Sequence, residues 1–308
     1  MKISVIGAGN VGGLTAMRLA QEGLGDIFLV DISKGLAQGK CFDMEDAQSL
    51  LKKDYSVTGT ENINDIKDSG IIIITAGLAR KPGMTREDLL NKNASILKDI
   101  CSNIKSLAPE AIVIIVTNPL DLLTCFALKN TGFAPNKILG MGLSLDSARF
   151  ANLISKELNV SVLDIDACVI ASHGEGMLPL PRYTKVKGVA LDKLLDQQKR
   201  QALVTKTIDR GKEIVSLLGS GSAYFAPSAA VAEIVKIIVK DQKSILGVSV
   251  YLKGEYGIND ICIGVPCCLG RNGIEKIIEL DLNEQEKNDL QACAEKLKEQ
   301  YNNLVTHI

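Results

Sequence analysis

The chain has 308 residues, 46% of them apolar and 23% charged, with 35 basic against 36 acidic side chains. That is the balance of a soluble globular protein with one large or two ordinary domains. A formal charge of −1 gives no electrostatic reason to expect nucleic acid or an anionic membrane as partner.

The first apolar segment, KISVIG, starts at residue 2 and reads as a strand, so no leader peptide is expected. NVGGLTAMRLAQEG follows as a helix and DIFLVD as a second strand, after which Ser33 is the candidate cap of the next helix. GIIIITAG and AIVIIVTNP are β-branched runs without polar alternation, as expected of strands buried on both faces of a parallel sheet. Both fall well short of the roughly 20 apolar residues that span a bilayer. Alternating strand and helix over residues 1–142 implies an α/β, doubly wound, Rossmann-type domain. The pattern changes from residue 143. LSLDSARFANLISKEL reads as a helix, DIDACVIAS as a strand, and about 192–240 as a helical region interrupted near GSGSAYFAPS. SILGVSVYL and DICIGVPCCLG read as antiparallel strands. LNEQEKNDLQACAEKLKEQYNNL is a closing amphipathic helix with Leu282 and Asn283 near its start. Residues 143–308 are therefore expected to form a mixed α+β domain. No Pro/Ser-rich linker separates it from the first, so the halves are expected to pack closely.

GAGNVG places Gly7, Gly9 and Gly12 in the spacing G-x-G-x-x-G, directly after a strand and at the start of a helix. Such glycines permit a tight turn, a close backbone approach to a pyrophosphate, and close helix–strand packing, with the phosphates at the helix N-terminus. Asp31 ends the next strand about twenty residues on. Its carboxylate can accept from both hydroxyls of an adenosine ribose and would repel a 2′-phosphate, which favours NAD over NADP. After IIIIT comes GLARKPGMTREDLLNKN, a loop with Arg80, Lys81 and Arg86 around Pro82 and Gly83. It is either a solvated basic loop or a lid carrying carboxylate-binding arginines. Asp146 and Arg149 lie three apart on one helix face. They either pair with each other at the surface or serve separate partners, a carboxylate for Arg149 and an imidazole for Asp146.

The chain has only two histidines, His173 in ASHGEGMLPLP and His307 next to its end; His307 reads as solvated. The eight cysteines sit mostly in apolar segments and read as buried free thiols. Cys267 and Cys268 are adjacent, which suits no zinc site, and no metal is expected. Cys168, five residues before His173, reads as a strand core residue before a regulatory thiol.

The glycine loop with Asp31, the arginine loop, TNP at 117–119, LDSARF before SHGEG, and GSGSAYFAPSAA together resemble the lactate/malate dehydrogenase family over essentially the whole chain. Within it, ARKPGMTREDLL is similar to the malate-specific members. The resemblance implies hydride transfer between NAD and a 2-hydroxy acid. It makes His173 the general acid/base and Asp146 the residue that orients it. Arg149 would bind the carboxylate beside the reacting carbon, Arg86 would close over the carbonyl oxygen, and Asn118 would bond near it, with a cis Asn118–Pro119 bond. The cofactor would meet Gly7, Ala8, Gly9, Asn10, Val11, Gly12, Asp31, Thr75, Ala76, Gly77, Asn93, Val116, Thr117 and Asn118. Arg80 would read the far end of the substrate. A cation there fits the second carboxylate of malate or oxaloacetate and is left unpaired by pyruvate, so malate is the expected substrate. The competing readings are a lactate or other 2-hydroxy-acid dehydrogenase, and a catalytically silent NAD-binding protein. The family usually has Asp two residues after its histidine, and a hydroxyl residue next; here Glu175 and Gly176 stand there. The resemblance also implies a cytoplasmic homo-oligomer, tetramer before dimer.

Overall fold

The two β-branched runs form the buried centre of the protein in the computed structural model. It describes residues 1–78 and 85–307, with Arg86 and His307 described by backbone alone. In chain order the first half comprises β1 (Lys2–Ile6), α1 (Asn10–Gln21), β2 (Asp26–Val30), α2 (Leu36–Leu51), β3 (Val57–Thr60), β4 (Ile71–Ile74), α3 (Arg86–Leu107), β5 (Ile112–Ile115), α4 (Leu120–Thr131) and β6 (Ile138–Gly140). The six strands pair in parallel in the order β3-β2-β1-β4-β5-β6, the doubly wound arrangement. Every residue of β4 (IIII) and β5 (IVII) is buried, which is why neither shows polar alternation. The chain winds one way from β1 to β3 and the other way from β4 to β6. A crevice therefore opens between the carboxyl ends of β1 and β4, where ligands of such sheets bind.

The second half comprises α5 (Gly142–Leu158), β7 (Ile165–Asp166), β8 (Val169–Ala171), β9 (Met177–Pro179), β10 (Lys185–Val186), β11 (Val189–Ala190), α6 (Gln197–Leu218), α7 (Phe225–Val239), β12 (Ser244–Lys253), β13 (Asn259–Gly270), β14 (Gly273–Ile277) and α8 (Glu284–His307). The sheet continues past β6. Ser249 of β12 pairs with Gly140, and β13, β8 and β9 follow antiparallel, with β14 beside β13. A Cβ at Gly140 would lie 2.5 Å from Thr124 Oγ1 and 3.0 Å from the Ser249 Cβ, so the junction closes only over a glycine. The halves also meet where α1 packs on α7, and Arg18 Nε donates to Ser228 Oγ at 3.1 Å. One large apolar core runs through both halves. A smaller one, built on Leu143, Phe150, Ile154, Val169, Met177 and Leu203, lies beneath α5 and α6.

Three local readings change. Ser33 does not cap α2: Gly35, at φ 73°, turns the chain into the helix two residues later, and the Ser33 N–H donates to Asp31 Oδ1 instead. DIDACVIAS is two strands, not one. Ile165–Asp166 joins a three-stranded sheet with β10 and β11 while Val169–Ala171 joins the large sheet, and the Cys168 N–H between them donates to Thr184 Oγ1. The short strands β3 (VTGT) and β6 (ILG) carry too little apolar signal to be read from the sequence. At α8, Asn283 and Glu286 bond each other's backbone N–H at 2.9 Å, a reciprocal cap that fixes the helix start.

Phe150 is fully buried at the centre of the smaller core. Truncation to alanine leaves a cavity beneath the helix that carries Asp146 and Arg149. Phe150→Ala is expected to cost about 3–5 kcal/mol, seen as a lowered thermal or urea midpoint.

Candidate active site

The glycine loop leaves β1 at the crevice. Gly7 has φ 105°, and a Cβ there would lie 2.6 Å from the Ala76 nitrogen; a Cβ at Gly12 would lie 1.8 Å from the Gly7 carbonyl oxygen. Both positions are closed to any other residue by backbone. Gly9 differs: a Cβ would meet nothing within 4 Å. It is the N-cap of α1, and no side chain caps that helix start. An open backbone at an uncapped helix N-terminus, with its free N–H groups and positive dipole end, fits a pyrophosphate. Asp31, half-buried, accepts from the Ala8 N–H (2.6 Å) and the Ser33 N–H (2.8 Å). Burial alone would raise its pKa, but these backbone hydrogen bonds and the Lys40 ammonium outweigh it, so the carboxylate stays ionised below the usual range. Its remaining lone pairs can serve a ribose. Lys40, unremarked in the sequence, donates to the Gly9 carbonyl at 3.1 Å and braces the loop from the solvent side.

The loops after β4 and β5 form the opposite wall. Thr75 Oγ1 donates to the Gly7 carbonyl at 2.9 Å, and Thr117 Oγ1 to the Ala76 carbonyl at 2.7 Å. Asn93 of α3 is buried, accepting from the Leu78 N–H and donating to the Asn118 carbonyl, both at 2.8 Å. It joins the two loops and sets where the exposed Asn118 stands. The Asn118–Pro119 bond is cis, as the resemblance implies. Val116 and Thr117 are buried beneath it.

His173 stands at the edge of the second half, held on three sides. Gly142, the first residue of α5, packs under it; a Cβ there would lie 2.7 Å from the His173 Cβ. Ala171 (φ 73°) and Gly174 (φ 103°) turn the backbone on either side. Its Nδ1 lies 2.7 Å from Asp146 Oδ2, and since a carboxylate only accepts, Nδ1 carries the proton and Nε2 is the second nitrogen of the ring. Asp146 is fully buried, and its other oxygen, Oδ1, lies 3.2 Å from Arg149 Nη1. Asp146 thus has both an arginine and an imidazole partner, and the Asp146–Arg149 pair lies in the interior rather than at the surface. The buried Nε–H of Arg149 has no hydrogen-bond partner, which leaves donor capacity for an anion. Desolvation pulls the imidazolium of His173 down. The Asp146 carboxylate, its hydrogen bond and the Asp121 carboxylate outweigh this, and the pKa lies above the ordinary histidine value despite the opposing charge of Arg149.

Of the other expected site residues, Arg80 lies with Lys81, Pro82 and Gly83 outside the described residues, and so does the side chain of Arg86, the first residue of α3. Glu175 pairs with Lys212 of α6 at 2.9 Å. Gly176 is set against α8, where a Cβ would lie 3.2 Å from the Cys293 sulfur and 3.1 Å from the Ser172 Cβ. The two departures from the family pattern therefore have structural partners outside the His173–Asp146 pair: a lysine for the longer acid, a thiol where a side chain would crowd. All eight cysteines are free, and burial pushes the Cys168 thiol up to about 12 and the Cys293 thiol to about 11. Among the described residues no cluster could hold a metal ion. The sequence reading missed Asp121, because an acid in the first turn of a helix ordinarily faces solvent and offsets the dipole. Here it is buried against the His173 loop.

A doubly wound sheet with an open helix N-terminus at its crevice, in a chain that also pairs an imidazole with a buried carboxylate, has the parts of a dinucleotide-dependent dehydrogenase. The lactate/malate dehydrogenase NAD-binding domain matches residues 1–140, and the alpha/beta C-terminal domain of the same family matches residues 144–307. The chain belongs to the lactate/malate dehydrogenase family and is an NAD-dependent oxidoreductase. It is 49% identical over 297 residues to a malate dehydrogenase of Methanosarcina acetivorans, covering 96% of this chain and 97% of that one. The structure of Cryptosporidium parvum malate dehydrogenase superposes with a TM-score of 0.96 at 37% identity, covering 99% of both chains. Cryptosporidium parvum lactate dehydrogenase, complexed with lactic acid and nicotinamide adenine dinucleotide, superposes with a TM-score of 0.95 at 36% identity, covering 98% of this chain and 97% of that one. The fold alone therefore does not choose between the two substrates.

The glycine geometry separates two outcomes. Gly12→Ala, whose methyl meets backbone, is expected to lower the melting temperature and NADH binding together. Gly9→Ala, whose methyl meets open space, is expected to keep the melting temperature and lose NADH affinity. Thermal scans and NADH fluorescence titrations on the two variants check this.

Proposed function

We propose that the chain catalyses the reversible oxidation of (S)-malate to oxaloacetate with NAD as hydride acceptor. The observation that carries the reading is the buried Asp146 carboxylate shared between His173 and Arg149, because it sets an acid/base and a carboxylate clamp side by side. NAD, when bound at the glycine loop, supplies the hydride chemistry. His173 Nε2 takes the hydroxyl proton of malate as the C–H bond breaks, and returns it in the reverse direction. Asp146 holds the tautomer and stabilises the imidazolium. Arg149 receives the carboxylate beside the reacting carbon as a two-pronged partner. Asn118, placed by Asn93, bonds near the reacting oxygen, and Arg86 polarises it.

Arg80 selects the substrate in this reading: its cation pairs with the second carboxylate of malate, which lactate lacks. The malate dehydrogenase names of relatives 44–49% identical to the chain support the same choice. Arg80→Gln is expected to raise the ratio of pyruvate to oxaloacetate activity by several hundred-fold, from the roughly 3–5 kcal/mol cost of an unmatched enclosed cation. Steady-state assays with NADH against both keto acids measure it. An unchanged ratio, or a wild-type preference for pyruvate, refutes the assignment.

The raised pKa of His173 sets the pH dependence. Reduction of oxaloacetate needs the imidazolium, so its kcat/KM is expected to hold below the ordinary histidine value and to fall as pH rises through the His173 pKa. Malate oxidation needs the neutral ring and is expected to rise over the same range. Opposed profiles crossing above pH 6.5, the ordinary histidine value, are the outcome to look for in the two directions.

The same reading places the chain at the malate step of the tricarboxylic acid cycle, in the cytoplasm, as a homo-oligomer with a tetramer favoured. Exposed Phe42 and Leu50 on α2 support an assembly surface. A division into a cofactor domain, 1–142, and a substrate domain, 143–308, is supported by the family matches ending at 140 and restarting at 144.

A further inference from the structure

We infer that Asp121 is a positioning residue for His173, fixing the backbone of the acid/base from behind while Asp146 fixes its ring. Asp121 sits in the first turn of α4, 3% exposed. Its Oδ2 accepts from the His173 N–H and from Ser172 Oγ, both at 2.9 Å, and its Oδ1 accepts from Ser249 Oγ of β12 at 2.6 Å. One carboxylate thus joins the first half, the His173 loop and the strand that pairs with β6. Among the described residues no lysine or arginine forms an ion pair with it.

Ser172, His173, Glu175 and Gly176 border a partly open pocket of about 370 Å³ that Cys293 and Leu297 of α8 also line. On this side no packed side chain backs the loop, and the Asp121 carboxylate supplies the hydrogen bonds that hold it. Among the described residues the charged and titratable groups facing His173 are few. They are Asp146 and Arg149 on α5, Asp121 on α4, Glu175 in its own loop (paired with Lys212 of α6), Cys293 and Lys296 on α8, and Glu87 on α3. The thiols near Asp121, Cys262 and Cys293, are both pushed up by burial and stay neutral. Burial pushes the Asp121 carboxyl above the usual carboxylate range, and the three donors and the charge of His173 offset this only in part. The charge of His173 and that of the Asp121 carboxylate attract each other, so the residue acts on His173 through position and, when ionised, through charge.

The inference rests on His173 being the acid/base, and the test separates the two. With His307→Gln as background, the chain has one histidine, and its imidazole titration is read directly by NMR. Asp121→Asn is expected to move that titration downward and to lower kcat by about 10–100-fold, with the KM for substrate and the Kd for NADH little changed. Ser249→Ala, which frees Oδ1 but keeps the charge, is expected to lower kcat severalfold and leave the titration near the wild-type position. It also serves if Asp121→Asn does not fold. A purely structural Asp121 predicts loss of melting temperature with an unmoved titration and unmoved kcat in the folded fraction. That result in Asp121→Asn, or wild-type kcat in Ser249→Ala, overturns the inference. Retained activity in His173→Gln sinks the acid/base reading instead, and leaves the titration result standing.

Discussion

The site depends on one buried negative charge. Asp146 is fully buried, and an isolated carboxylate at such a position would be strongly unfavourable. It is tolerated because each oxygen has its own partner, His173 on one side and Arg149 on the other. That division fixes the proposed acid/base and the proposed carboxylate clamp relative to each other. It also requires α5 to begin where it does, immediately after β6, with Gly142 under the imidazole. The sheet's carboxyl edge and the second half of the chain are therefore joined at the point where the chemistry is proposed to occur.

Two further acids repeat the device with different donors. Asp31 ties the end of β2 to the glycine loop through the Ala8 N–H, and Asp121 ties α4 to the His173 loop and β12. In each case a carboxylate accepts from a backbone N–H of a distant segment. Such bonds are stronger than neutral ones, and they hold a loop without filling the crevice. Asn93 does the same between the loops after β4 and β5 with an uncharged amide, which supplies the donor that the Asn118 carbonyl needs. The result is a crevice whose walls are positioned from behind, leaving the Gly9 backbone open and the buried Arg149 Nε–H unpartnered.

The pattern of residues 1–142 was legible because its signals are local. Four-residue isoleucine and valine runs specify buried parallel strands, and G-x-G-x-x-G with Asp31 specifies the crevice. The His173–Asp146–Arg149 set was legible only through the resemblance, since 24 residues of chain separate Arg149 from His173 and nothing periodic connects them. Asp121 was illegible because its local context, the first turn of a helix, is the ordinary setting of a solvated acid. Ser33 was misread for a related reason: a capping residue type was present, but the turn chemistry of Gly35 decided where α2 begins.

The sequence by itself determined the secondary-structure alternation, the cofactor loop and, with Arg80, the substrate expected. The first two follow from residue type over a few neighbouring positions, where sterics and periodicity act; the substrate expected from Arg80 came through the family resemblance. Tertiary structure alone decided that Asp146 bridges two partners, that Glu175 turns to Lys212 while Gly176 makes room for Cys293, and that Asp121 stands behind His173. Apart from the Asp146–Arg149 pair, these are contacts between residues 27 to 117 apart, set by how the antiparallel strands extend the parallel sheet and by which carboxylates that packing removes from water.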